Sequence, residues 1–168
     1  MKAKVLVLNG PNLNMLGTRQ TDIYGRTTLA EIEAAAQRHG KTLGLAVECR
    51  QSNDEGQLVS WIQKARGAVG GIVINPAGYG TTSVAILDAL LTCDCPIVEL
   101  HLSNIFRRDA FRHPTYVSRA ARGVICGFGA RGYLLALDAI ADLIAEASPA
   151  PETSKKPAKK PARKSKGA

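Results

Sequence analysis

KVLVLNGPN, residues 4–12, decides the fold. Five residues without a charge after Lys4, dominated by Val and Leu, run straight into a Gly-Pro turn. An uninterrupted apolar run of this length reads as a strand buried on both faces, which is the habit of parallel sheets. Four more runs share the pattern: LAVECRQ (45–51), GGIVIN (70–75), PIVELHL (96–102) and GVICGFG (123–129). Between them lie helical stretches. Thr28 with Glu31 three residues on predicts a capped helix that stops at Gly40. Asp54 opens a second helix ending at Gly67, Ser83 to Leu91 a third, and Arg131 to Ala147 a last one. Alternating strands and helices predict an α/β fold with a doubly wound five-stranded parallel sheet in flavodoxin-like order.

One domain accounts for residues 1–148. Residues 149–168, PAPETSKKPAKKPARKSKGA, hold no apolar side chain larger than Ala and are expected to be a disordered basic tail. The net charge of +8 is mostly theirs: seven basic residues and one acid make this segment +6. Residues 1–148 carry 15 basic against 13 acidic residues, so the body gives no reason to expect a dedicated nucleic-acid partner. Cys49, Cys93, Cys95 and Cys126 form no Cys-x-x-Cys pair and read as reduced thiols, mostly buried. No signal peptide and no membrane span is legible, which makes the cytoplasm the expected compartment and a membrane partner unexpected.

In such sheets ligands sit beyond the carboxyl ends of the strands. The unusual residues gather there. Strand 1 runs into Asn9 and Asn12, strand 2 into Gln51-Ser52-Asn53, strand 3 into Asn75, and strand 4 ends Glu99-Leu-His101-Leu-Ser103-Asn104, with Arg112 and His113 following. There is no glycine-rich phosphate loop, no lysine at a strand end to form a Schiff base, and no metal-ligand spacing. No cofactor and no metal is expected. One strand-end histidine, Arg19 and Tyr24 on a long loop, and several amides suit proton transfer on a small anionic substrate.

At this point the chain resembles the type II 3-dehydroquinate dehydratase family over about residues 3–147. The resemblance rests on NGPNLNMLGTR (9–19), IYG (23–25), QSNDEG (51–56), INP (74–76), TSVAI (82–86) with DAL (88–90), ELHLSN (99–104), FRH (111–113) and VICGFG (124–129). It implies conversion of 3-dehydroquinate to 3-dehydroshikimate by anti-elimination through an enolate. It implies that Tyr24 is the base, helped by Arg19, and that His101 is the acid, oriented by Glu99. Asn12 would stabilise the enolate. Leu102 (through its backbone) and Ser103 would hold the substrate carboxylate. Asn75, Thr81, Arg112 and Asp88 would meet ring hydroxyls, with Asp88 supplied by a neighbouring subunit. The family assembles as trimers grouped into dodecamers, so a homo-oligomer is expected.

Two places depart from the family pattern. Gly80-Thr81 stands where the family reads Thr-His, and Pro114-Thr115 where it reads His-Ser. Restoring a histidine at 81 is expected to improve the specificity constant for 3-dehydroquinate, mainly when a threonine at 80 accompanies it. The departures also leave open a weakened or re-targeted homologue acting on another cyclic hydroxy acid. A non-catalytic flavodoxin-like ligand-binding module and a polyanion-binding protein are the remaining alternatives.

Overall fold

The computed structural model describes residues 2–18 and 26–147. Arg19, Tyr24 and the basic segment 149–168 lie outside the described residues. Five strands, β1 (Ala3–Asn9), β2 (Leu45–Gln51), β3 (Gly71–Asn75), β4 (Ile97–His101) and β5 (Gly123–Cys126), form one sheet in the order β2-β1-β3-β4-β5. Every pairing is parallel. This is the expected flavodoxin-like order.

Side chains alternate across a strand, and β1 uses both faces. Val5 and Val7 join Ile32, Ala36, Val73, Leu137 and Ile140 in a core under helices α1 (Leu29–Thr42) and α4 (Arg131–Ala147). Leu6 and Leu8 point the other way, to Leu58, Ile62, Ile86 and Leu90 of α2 (Glu55–Ala65) and α3 (Val84–Leu91). The central strands β1, β3 and β4 are the buried ones, while β2 and β5 are half exposed at the edges.

Thr28 and Glu31 form the expected reciprocal cap of α1. The expected stop at Gly40 does not occur, for α1 continues to Thr42. Gly40 is a packing residue: a Cβ there would fall 2.3 Å from Val47 Cγ2 on β2. His39 is therefore inside the last turn, and its Nε2 lies 2.5 Å from Asp138 Oδ1 on α4. The strand expected to reach residue 129 ends at Cys126. Gly127 and Gly129 take positive φ angles of 91° and 54° and turn the chain over the end of β4, donating to the carbonyls of His101 and Leu102. All four cysteines are free and half-buried rather than buried. Among the described residues no helix is long and apolar enough to cross a membrane.

Candidate active site

The sheet reverses its winding between β1 and β3, whose last residues, Asn9 and Asn75, are register partners. Chains leaving two neighbouring strands in opposite directions open a crevice. Gly10 lets the two exits approach, since a Cβ on it would lie 2.4 Å from the Pro76 carbonyl oxygen, and its N–H donates to the Asn75 carbonyl at 2.8 Å. A cavity of about 260 Å³ fills the crevice.

Asn12 lines it from the β1 loop. Its φ of 67° is left-handed, which asparagine tolerates better than most residues. The end of β2 fixes that conformation. The Asn12 N–H donates to Asn53 Oδ1 at 2.8 Å, Gln51 Nε2 donates to the same oxygen at 3.0 Å, and the Tyr79 hydroxyl donates to the Asn53 carbonyl at 2.8 Å. The Gln-Ser-Asn stretch thus supports the site without lining it.

Asn75 is held from behind. Its Nδ2 donates to the Tyr133 hydroxyl at 3.2 Å, and its Oδ1 accepts from the Ala77 N–H at 3.3 Å. The hydroxyl of Tyr133, 1% exposed, donates in turn to Asn9 Oδ1 at 2.7 Å, and Asn9 Nδ2 donates to Glu33 Oε1 at 3.1 Å. Burial pushes the Tyr133 phenol above its ordinary value, so it stays a neutral donor.

The third wall comes from β4 and the turns after it. His101, Leu102, Ser103, Ile105, Arg108 and Arg112 all face the cavity. His101 is 8% exposed, and its Nε2 lies 2.7 Å from Oε1 of the fully buried Glu99. Residues two apart on a strand share a face, which is why the pair was legible in Glu-Leu-His. Burial alone would raise the Glu99 carboxyl. Hydrogen bonds from His101, Ser118 and Thr115 outweigh it, and the group sits below the ordinary carboxylate range. With Nε2 committed to Glu99, Nδ1 is the ring nitrogen left for proton transfer.

Seven of the residues singled out from sequence meet at this cavity: Asn12, Asn75, Thr81, His101, Leu102, Ser103 and Arg112. Glu99 stands directly behind His101. Asp88 does not belong to its own protomer's cavity; it is exposed on α3. The expected roles of Arg19 and Tyr24 fall on residues outside those described. Sequence reading missed Arg108, although an arginine four residues before Arg112 in a loop after a site strand was a usable signal for an anionic ligand. It also missed the apolar wall of Leu13, Met15, Leu16 and Ile105, because small hydrophobic residues near a turn carry no chemical signature. Among the described lining residues there are two arginines and no acid, so the cavity favours an anion.

The sequence model of the family described as dehydroquinase class II matches residues 3–141. The chain is 58% identical over 142 residues to the 3-dehydroquinate dehydratase 2 of Pseudomonas aeruginosa, covering 84% of this chain and 96% of that one. It is 55% identical over 137 residues to the 3-dehydroquinate dehydratase of Ruegeria pomeroyi, covering 82% and 92%. In structure it resembles the type II dehydroquinase of Propionibacterium acnes, with a TM-score of 0.82, 44% identity, and coverage of 84% of this chain and 98% of that one.

Proposed function

The chain belongs to the class II dehydroquinase family, and from that premise we propose that its cavity dehydrates 3-dehydroquinate to 3-dehydroshikimate, a step of the shikimate pathway. The observation that carries the reading is the buried Glu99–His101 pair at the wall of an arginine-lined cavity sized for a small organic acid.

Tyr24, as phenolate beside Arg19, removes the proton from carbon 2 of the substrate. The electron pair moves onto the carbonyl oxygen as an enolate, and Asn12 with a water stabilises it. The enolate then collapses, the bond from carbon 1 to its hydroxyl breaks, and His101 delivers a proton to the departing oxygen as water leaves. The Leu102 backbone and Ser103 hold the carboxylate, Arg108 and Arg112 attract it, and Asn75 and Thr81 meet the ring hydroxyls. No cofactor is needed for a proton transfer at a carbon activated by its own carbonyl.

The expected trimers grouped into dodecamers remain part of this proposal. Val84, Asp88 and Leu91 share one face of α3, and the two apolar members are 50% and 61% exposed. Arg112 Nε is buried without a hydrogen-bond partner, and Asp109 Oδ2 of the same chain lies 3.9 Å from it. Packing that α3 face on a neighbouring protomer would bring Asp88 to such an arginine. Residues 149–168 are proposed as a tail outside the catalytic domain, and the compartment as the cytoplasm.

Purified protein with 3-dehydroquinate is expected to generate the absorbance of the conjugated enone. His101→Ala and Tyr24→Phe should each cut turnover by about 100-fold or more. Activity should withstand chelators and borohydride, and substrate-dependent borohydride labelling of a lysine would overturn the mechanism. Removing residues 149–168 should leave turnover unchanged. One observation favours a second reading, a homologue re-targeted to another cyclic hydroxy acid: the Thr81 hydroxyl donates to the Gly78 carbonyl at 3.1 Å, within its own loop. Dehydration of such an acid with none of 3-dehydroquinate would establish it.

A further inference from the structure

Glu99 is an unusual residue in its own right, a carboxylate with no exposure in the middle of a central strand. An ionised carboxylate has only lone pairs to offer and is costly to bury unless each oxygen finds donors. His101 supplies one donor, at Oε1. The others come from a segment that the proposed mechanism does not use. The Thr115 hydroxyl lies 2.7 Å from Oε1 and 3.0 Å from Oε2. The Ser118 hydroxyl donates to Oε2. Thr115 Oγ1 in turn accepts from the Ser118 N–H at 3.1 Å and lies 2.5 Å from Ser118 Oγ, so the two hydroxyls and the carboxylate form one connected group.

The segment that carries both hydroxyls is fixed at two points. Val117, fully buried, sits in the core under α3. The Tyr116 N–H donates to the Gly80 carbonyl at 2.7 Å. A Cβ on residue 80 would stand 3.6 Å from the Thr115 Cβ, an ordinary contact distance. The two departures from the family pattern, at 80–81 and 114–115, are therefore neighbours in space.

We infer that Thr115 and Ser118 are positioning residues that hold the Glu99 carboxylate aimed at His101, and that through Glu99 they fix the His101 ring for its acid role. The inference rests on the proposed role of His101. Two states of Glu99 matter. In the working state it is ionised and orients the His101 ring. Acid converts it to its neutral form and removes the charge that orients the ring. The two hydroxyls bond to the carboxylate, favour its ionised form, and so push that loss to lower pH. The remaining charged or titratable groups described around the ring are Arg108 and Arg112, which line the same cavity, and Cys126, the register partner of His101 on β5. None of them is an acid, so Glu99 has no described substitute.

The test is the pH profile of turnover for Thr115→Val, Ser118→Ala and Thr115→Ser in the full-length protein, with His101→Ala as reference. Valine keeps the shape of threonine and removes the hydroxyl, whereas serine keeps the hydroxyl and removes the methyl. The valine and alanine variants are expected to lose about tenfold in kcat at neutral pH, with KM changed less than about twofold. Protonation of the Tyr24 base sets a first acid limb in every variant; the second, lower limb, set by Glu99, should move up by about one pH unit, the scale of one hydrogen bond to a charged group. Serine should recover most of kcat and the wild-type limb. An unmoved lower limb in both hydroxyl-deleted variants overturns the inference, as does a serine variant as impaired as valine, which would make the methyl packing responsible. Should the valine variant not fold, Ser118→Ala carries the same expectation from a separate turn, and an unmoved limb there is decisive. A fully active His101→Ala would instead remove the acid assignment itself, so the two failures are distinguishable.

Discussion

Gly80 shows how one missing side chain constrains several residues. A Cβ there would stand 3.1 Å from Pro76 Cγ, 3.6 Å from Thr115 Cβ and 3.7 Å from His101 Cε1. Only the approach to Pro76 is tighter than ordinary contact, so a threonine would press on that ring, and overpacking of this kind costs about 1–3 kcal/mol. The sequence-based expectation that threonine at 80 helps a histidine at 81 must therefore be revised. Gly80→Thr alone is expected to lower kcat, and adding Thr115→Ser should restore part of it, a non-additive pair readable in a double-mutant cycle. Tyr133 offers a second residue-scale test. Tyr133→Phe leaves Asn9 Oδ1 without its donor and Asn75 Nδ2 without its acceptor, both nearly fully buried. A stability loss of about 1–3 kcal/mol in urea unfolding is expected, together with a raised KM, because the Asn75 amide is no longer fixed.

The contact between α1 and β2 turns on Gly40. By helix propensity alone, Gly40→Ala should stabilise α1 by up to about 1 kcal/mol. The new Cβ would overlap Val47 Cγ2 at 2.3 Å, and packing is the larger effect. Gly40→Ala is expected to lower the unfolding midpoint, and Val47→Ala in the same chain to recover part of the loss. A midpoint that rises in the single variant would mean that α1 moves away from the sheet at little cost. The same element shows why a glycine was misread as a stop. Glycine ends helices when it takes a positive φ, but here it serves close approach, and only the partner strand distinguishes the two uses.

Acid stability belongs to the whole molecule. Glu99 has a folded pKa below the ordinary value of 4.5, so it binds a proton less readily folded than unfolded. Its contribution is complete above the unfolded value and is lost as pH falls through the folded one. Glu33 works the other way, since burial raises its carboxyl in spite of the bond from Asn9, and it offsets part of the loss. The urea midpoint is expected to fall between neutral pH and about pH 3. Glu99→Gln should make that dependence shallower while lowering the midpoint at neutral pH. An equal slope in both proteins would show that other carboxyls govern acid unfolding.

The sequence by itself determined the five strands, their parallel pairing and the side of the sheet on which the site lies. Apolar runs of β-branched residues and Leu have few other ways to be buried, and strand ends are where polar side chains can face a ligand. It also determined the Glu99–His101 pair, because period-two alternation fixes which residues share a face. Only the tertiary structure decided who holds that pair. Thr115 and Ser118 lie 16 and 19 residues beyond Glu99, on turns with no periodicity to read. The β2–α2 loop supports Asn12 across 41 residues, and Tyr133 bonds Asn9 across 124. Hydrogen bonds at such separations depend on where the folded chain returns, and no local pattern of propensity or spacing encodes that return.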